Sequence, residues 1–447
     1  MSKNGKRSKE PRLLGRLQSH FDGDPASLPV VQQQFDPHER PNLQLAIQEM
    51  VRAAKRQCET VGVVTLEHYN MPSLARLSRH ASAESYDEGP IEHFDVALHG
   101  DQHLSCVKNG LYLIREGKEP LAMLVTEQQH WAQKLVVEVM SAEREIGERF
   151  LRELTRQTRF GAAFRGHVLS IEQDCHRQLA VRFHRLPTIS RAELVLPEAL
   201  LQRIERHTLS FSRNAERLRA AGRHLKRGIL LHGPPGTGKT LSTMYIISQM
   251  PGRTALLLTG TAIGTIETAC QLARMLAPVT VILEDVDLIG TERNHQTVGA
   301  NALLFELLNQ MDGLAEDTDI LFILTTNRPD ILEPALASRP GRIDQAIEVQ
   351  PPDADCRRRL IELYSRGLQL KVTDWDRLID RTAGVSGAFI RELLRKAAVF
   401  AAEAGDDGQL VVKDEHVSDA LAELLVAGGP LTQSLLGAVR STGSGER

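Results

Sequence analysis

Two rhythms of apolar and polar residues divide this sequence. Between residue 41 and about residue 190, helical and strand-like patterns are mixed. LQLAIQEMVRAAKRQ, starting at Leu43, places apolar residues at helical spacing. GLYLIREGKEPLAMLV (110–125) is two apolar runs around Gly117 and Pro120, which predicts a hairpin. Trp131, Leu135, Val139, Ala142, Ile146, Phe150 and Leu154 recur at spacings of four and three, which predicts one long helix with an apolar stripe. FRGHVLSIE and QLAVRFHRL read as two strands. Residues 41–190 are therefore expected to form a separate mixed α/β domain, with no chemical motif in it to name a ligand. His93, His99 and His103 match no standard metal spacing.

After residue 190 the rhythm changes. RGILLHG, TALLLTG, TVILEDVD and DILFILTTN are short apolar strands, and helical stretches separate them. Strands alternating with helices predict a parallel sheet, here over residues 191–350. Beyond Pro351-Pro352 the strands stop. Helical stretches at 354–366, 374–382, 386–404 and 413–426 predict a small helical domain over 351–427. The two ends lack sustained periodicity. Residues 1–40 read as a mobile basic tail and residues 428–447 as a flexible one.

Composition narrows the partners. Lys and Arg number 54 against 57 Asp and Glu, a formal charge of −3, so no global field draws the chain to nucleic acid or anionic lipid. Aromatic residues are 4% of the chain, too few for a surface of stacking rings. The basic start of the N-terminal tail and the basic run from Arg203 to Arg227 are local exceptions. Cys58, Cys106, Cys175, Cys270 and Cys356 are dispersed and odd in number, which suits reduced thiols and a cytoplasmic protein. The N-terminal MSKNGKRSKEPR is not followed by the apolar stretch of a secretory signal, and no apolar run approaches the length of a membrane span.

The chemistry sits in the second half. Gly233-Pro234-Pro235-Gly236-Thr237-Gly238-Lys239-Thr240 is G-x-x-x-x-G-K-T between an apolar strand and a helix. Its glycines let backbone N–H groups turn inward around a phosphate, and the helix N-terminus adds partial positive charge. Lys239 can reach the β- and γ-phosphates, and the Thr240 hydroxyl can ligate Mg²⁺. Glu284 and Asp285 follow an apolar strand, the end of such a sheet where ligands bind. One acid would hold the Mg²⁺ shell and the other orient water. Asn327 ends the strand ILFILTT and can hydrogen-bond the γ-phosphate or the attacking water. Arg339 and Arg342 can reach a γ-phosphate, including one on a neighbouring chain, a contribution of about 10³–10⁵-fold in rate.

On these residues the chain resembles the AAA family of ATPases over about 190–427. LHGPPGTGKT is similar to its Walker A and VILEDVD to its Walker B. LLNQMDGL is similar to the segment with an inter-subunit Asp-Gly, here Asp312-Gly313. LFILTTNRPDILEPALASRPGRID is similar to the second region of homology, and GVSGAFIRELLRKAA to the lid helix, where Gly387 and Ala388 would approach the ribose and base. The resemblance implies a P-loop NTPase sheet with a C-terminal helical lid, ATP and Mg²⁺ as cofactors, a hexameric ring and a protein client, with residues 41–190 as the recruiting domain.

The chain also departs from the family pattern. The acids read Glu284-Asp285 instead of Asp-Glu, an order similar to the mitochondrial branch that translocates the Rieske protein, as is the lead-in LVLPEALLQRIERHTLSFSRNAERLRAAG. Thr261-Ala262-Ile263-Gly264 stands where threading relatives carry an aromatic, and Ser338 lengthens the arginine segment by one residue. No His-Glu-x-x-His occurs. The leading expectation is a ring ATPase that remodels or moves a protein. A nucleotide-gated assembly scaffold is second, and a nucleic-acid-dependent ATPase third.

Overall fold

The computed structural model describes residues 12–53, 56–66, 71–98, 100, 102–117, 119–128, 134–159, 161–173, 179–258, 266–287, 309–311, 318–330, 332, 343–404 and 410–424. It divides into two compact units, 1–185 and 186–447.

The first unit is built on an antiparallel sheet. Its strands are β1 (Val30–Phe35), β2 (Arg56–Thr65), β3 (Tyr86–Gly89), β6 (Gly110–Glu116), β7 (Glu119–Gln128) and β8 (Lys134–Ser141), in the spatial order β1-β8-β7-β6-β2-β3. Two further strands, β4 (His93–Ala97) and β5 (His103–Val107), form a separate hairpin. The expected hairpin is present as β6–β7, with Arg115 opposite Pro120. Alternate residues face alternate sides of a strand, and here both sides are covered. On one side Tyr112, Ile114, Met123 and Val125 pack with Leu43, Ile47 and Met50 of α2 (Arg40–Arg52). On the other, Leu111, Leu113 and Leu124 pack with Leu13 and Leu17 of α1 (Arg12–Phe21) and with Leu74 and Leu77 of α3 (Leu74–Leu77), which precedes the short α4 (His80–Ala83). Double burial is why these strands read as continuous apolar runs.

Two expectations for this unit need correction. Residues 1–40 are not simply a tail: α1 buries Leu13, Leu14 and Leu17, and β1 pairs with β8 from Val30 opposite Met140 to Phe35 opposite Leu135. The helix has a one-sided apolar face that is short, ten residues in all, and the sheet supplies the apolar partner that fixes it. The long helix is also shorter than its stripe. Lys134–Ser141 is strand β8, and the helix, α5, runs Arg144–Arg159. A spacing of four is even, so Leu135 and Val139 share a face in a strand as well as in a helix, and the β-branched Val136, Val137 and Val139 favour the strand. Ala142 is exposed between the two elements, whereas Phe150 and Leu154 do lie on the buried face of α5. Trp131 lies outside the described residues. The two strands expected at 164–186 are β9 (Val168–Gln173) and β10 (Leu179–His184), paired antiparallel.

The second unit begins with a lead-in, 186–197, and three helices, α6 (Glu198–Glu205), α7 (Phe211–Arg213) and α8 (Ala215–Ala220). A parallel sheet follows, from β11 (Arg227–His232), β12 (Thr254–Leu258), β13 (Val279–Leu283), β14 (Ile320–Thr326) and β15 (Gln345–Glu348), in the spatial order β12-β13-β14-β11-β15. Helices α9 (Lys239–Ser248) and α10 (Ile266–Leu276) lie in the crossovers. The order puts β14 between β11 and β13, so three successive strand ends meet at one place. The C-terminal helices are α11 (Ala354–Tyr364), α12 (Trp375–Arg381), α13 (Gly387–Glu403) and α14 (Asp414–Ala422), around a core that includes Leu360, Phe389, Leu393 and Leu421. Strands do not stop entirely after Pro352: β16 (Gln369–Lys371) and β17 (Val411–Lys413) form a short parallel pair. Residues 428–447 lie outside the described residues.

Candidate functional site

The loop between β11 and α9 holds its shape through its glycines. Gly233, Gly236 and Gly238 have φ of 144°, 75° and 104°, a region that disfavours side chains. At Gly233 sterics add to this, because a Cβ there would lie 2.3 Å from the Val349 carbonyl oxygen. The loop ends on the N-terminus of α9, with Gly238 at the cap position. Thr237 donates its hydroxyl to the Pro234 carbonyl at 2.9 Å. Lys239 is 6% exposed, and its Nζ donates to the carbonyls of Gly233 and Pro234 at 2.8 Å each. Burial lowers the Lys239 pKa, and the nearby carboxylates of Asp285 and Asp287 oppose that shift.

Next to this loop stand the ends of β13 and β14. Glu284 receives a hydrogen bond from Thr240; burial nevertheless raises its pKa, with the Asp285 charge adding to the rise. Asp285 has φ of 47°, a left-handed conformation that Asp tolerates better than most residues. Its backbone N–H donates to Thr325 Oγ1 at 2.9 Å, and its Oδ1 accepts from Asn327 Nδ2 at 3.1 Å. Thus the pair Glu284 and Asp285 splits, one carboxylate toward the Thr240 hydroxyl and the other toward Asn327.

The lid closes a third side. Ser386 caps α13 by accepting from the Phe389 N–H at 3.1 Å, and the Ala388 N–H donates to the Gly236 carbonyl at 3.2 Å. A Cβ on Gly236 would meet Ser386 Oγ at 2.7 Å and Ala388 Cβ at 2.9 Å. Gly387 has only ordinary contacts of 3.6 Å at its own Cβ position. Between loop, strand ends and lid lies a cavity of about 380 Å³, lined by Gly236–Leu241, Asp285, Asn327, Gly387 and Ala388.

Of the residues singled out from sequence, the structure brings together Gly233 through Thr240, Glu284, Asp285, Asn327, Gly387 and Ala388. Arg339 and Arg342 lie outside the described residues, as do Asp312-Gly313 and Thr261–Gly264. Sequence reasoning missed the apolar wall of the cavity, formed by Leu194–Pro197, Pro352, Leu360 and Tyr364. These residues carry no chemistry that a motif could flag.

The donor set fits a magnesium nucleotide. Positive-φ glycines at a helix N-terminus form an anion-binding concavity, the buried ammonium group of Lys239 has no carboxylate hydrogen-bonded to it among the described contacts, and the Thr240 hydroxyl and Glu284 carboxylate are hard oxygen donors side by side.

Comparison with known proteins agrees with this geometry. Residues 229–351 match the model of the ATPase family associated with various cellular activities (AAA). Over 233 residues the chain is 34% identical to ATP-dependent zinc metalloprotease FTSH 1, chloroplastic, of Oryza sativa subsp. japonica, a match covering 49% of this chain and 33% of that protein. It is 31% identical over 261 residues to ATP-dependent zinc metalloprotease FtsH 3 of Synechocystis, covering 56% and 40%. Residues 229–351 are therefore similar to the AAA domain, with the P-loop α/β fold. It spans between a third and two fifths of the length of these two relatives. Both are of the metalloprotease type, and they do not bear on the expected likeness to the Rieske-protein translocase branch. Among the described residues no helix is long and apolar enough to cross a membrane.

Proposed function

We propose that this protein hydrolyses ATP with Mg²⁺, in a ring of its own copies, to remodel or move a protein client. The observation that carries the reading is the meeting of Lys239, Thr240, Glu284, Asp285 and Asn327 at the ends of adjacent parallel strands β11, β13 and β14. A bound magnesium nucleotide would supply the phosphoanhydride bond and the charge that neutralises its oxygens. Gly236, Thr237 and Gly238 would present backbone N–H groups to the β-phosphate, and Lys239, which donates to the Gly233 and Pro234 carbonyls, would donate to phosphate oxygens instead. Thr240 and Glu284 would hold the magnesium ion. Asp285 orients the attacking water, with Asn327 steadying its carboxylate. Arg339 and Arg342 complete the site of a neighbouring copy in a hexameric ring. Ala388 and Gly387 join the lid to the loop, so lid movement is linked to nucleotide state. Residues 41–190, nearly all in the first unit, recruit the client, and the dispersed cysteines fit a cytoplasmic setting.

Replacing Lys239 by Ala, or Asp285 by Asn, is expected to lower phosphate release by about 10²–10³-fold. Specific turnover of the wild type should rise with protein concentration, because the arginines act between copies. A Lys239→Ala protein that turns over at the wild-type rate would discard the reading.

One observation favours a second reading, a nucleotide-gated scaffold. Asp285 is a methylene shorter than Glu and its Oδ1 is already engaged by Asn327. Ring assembly with ATP, combined with turnover no faster than Asp285→Asn, would support it. The nucleic-acid reading finds less support. Arg227 stacks on Phe211 at 3.9 Å from the ring centroid, and Arg203 donates to Gln345 Oε1 at 3.1 Å, so both serve packing within the unit. The zinc chemistry in the relatives' names is not carried over, since the 447 residues contain no His-Glu-x-x-His.

A further inference from the structure

Asp287 is a carboxylate beside the nucleotide cavity that the proposed chemistry leaves without a role. It is 6% exposed. Its Oδ1 accepts two hydrogen bonds, from Thr326 Oγ1 at 2.7 Å and from the Asn327 backbone N–H at 3.1 Å. Both donors lie at the end of β14. The same strand end is tied to the acid segment at two more points: Asp285 N–H donates to Thr325 Oγ1 at 2.9 Å, and Val286 N–H to the Thr325 carbonyl at 3.0 Å. Thr326 Oγ1 in turn accepts from the Arg328 N–H at 3.0 Å, which fixes the turn after Asn327. Asp285 and Asn327 line the cavity, but Asp287 does not. Its carboxylate therefore addresses the end of β14, one residue removed from the reacting groups.

We infer that Asp287 is a positioning residue: it anchors the Asn327 backbone so that the Asn327 side-chain amide stays on the Asp285 carboxylate. The inference rests on the ATPase reading and assigns to that site a residue that neither metal nor water chemistry requires. The task needs one side-chain oxygen that accepts both bonds, and a carboxyl or amide oxygen has the two lone pairs for it. An Asn at 287 keeps an oxygen at the Oδ1 position and can accept both bonds, whereas Ala keeps neither. That contrast separates anchoring from acid chemistry.

The test uses the full chain with Asp287→Ala and Asp287→Asn, alongside Lys239→Ala. Misplacing a catalytic group by about 1 Å costs about 10²-fold. Asp287→Ala should therefore lose about 10²-fold in kcat, with KM for ATP changed less than about 3-fold, and Asp287→Asn should recover at least about ten-fold of that loss. Hydrogen exchange across 320–328 should speed up in Asp287→Ala and return toward wild type in Asp287→Asn. If Asp287→Ala does not fold, Thr326→Val removes one of the two donors and should give a smaller kcat loss with the same unchanged KM. An Asp287→Asn protein as slow as Asp287→Ala overturns the inference, since the charge itself would then be at work. So does wild-type kcat in Asp287→Ala, or unchanged exchange at 320–328. Wild-type turnover no greater than Lys239→Ala instead defeats the ATPase reading, and the exchange measurement still decides whether Asp287 holds Asn327.

Discussion

At the residue scale, Gly236 and Glu284 illustrate how tightly the site constrains its members. Gly236 combines φ of 75° with a Cβ position 2.7 Å from Ser386 Oγ and 2.9 Å from Ala388 Cβ. Gly236→Ala should thus both strain the loop, by about 1–2 kcal/mol, and push the lid away. Nucleotide affinity is expected to fall at least about ten-fold, one decade for each 1.4 kcal/mol, as a titration of ATP binding would show. Glu284 responds to pH. Burial raises its pKa above the ordinary 4.5, so the folded chain holds that proton more tightly than the unfolded one. Its stabilising contribution is present below the unfolded value and lost as pH rises through the folded one. Metal binding needs the ionised form, so magnesium-nucleotide affinity should decline on the acid side at a higher pH than an unburied Glu would set. Glu284→Gln removes that buried charge. The nucleotide-free protein should then melt higher than wild type at pH 7, the gap closing in acid, while magnesium-nucleotide binding weakens. A melting difference independent of pH would contradict this account.

At the element scale, legibility depended on whether a segment's neighbours left a local trace. The phosphate loop was readable because its glycines, its lysine and the flanking strand and helix are contiguous in sequence. The ends of β13 and β14 were readable as polar residues closing apolar runs, but their interlock was not. That Thr325 and Thr326 meet Asp285 and Asp287 is fixed by strand order in space, and no local pattern encodes it. In the first unit β8 passed for a helix because Leu135 and Val139 satisfy both periods, and the pairing with β1 and β7 decides between them. Helix α1 buries only Leu13, Leu14 and Leu17 in its apolar stripe, and the partner face, Leu111 and Leu113, lies about a hundred residues on. Leu17 is 0% exposed, so Leu17→Ala should cost the first unit about 2–5 kcal/mol. Denaturant unfolding of the full chain should show the loss in one transition, with ATP binding unaffected. No change would mean that α1 is not part of that core.

At the scale of the whole molecule, the chain joins an α/β unit of unassigned chemistry to a unit that matches the AAA model over 229–351 and carries a C-terminal helical lid. The AAA match covers 229–351, so the reading is strongest for the sheet and loop and reaches the lid through the Ala388–Gly236 contact. The lead-in connects the layers of this unit. Val195 sits in the lid core, and the Ile189 carbonyl accepts from Ser248 Oγ at 3.1 Å at the end of α9. A segment that touches both lid and phosphate-loop helix is well placed to sense their relative position. Calorimetric titration of the full chain with a slowly hydrolysed ATP analogue and Mg²⁺ bears most directly on the central claim. The account predicts saturable binding at one site per chain in the wild type and loss of most of that heat in Lys239→Ala. Absence of heat in the wild type, or equal heat in Lys239→Ala, would contradict it.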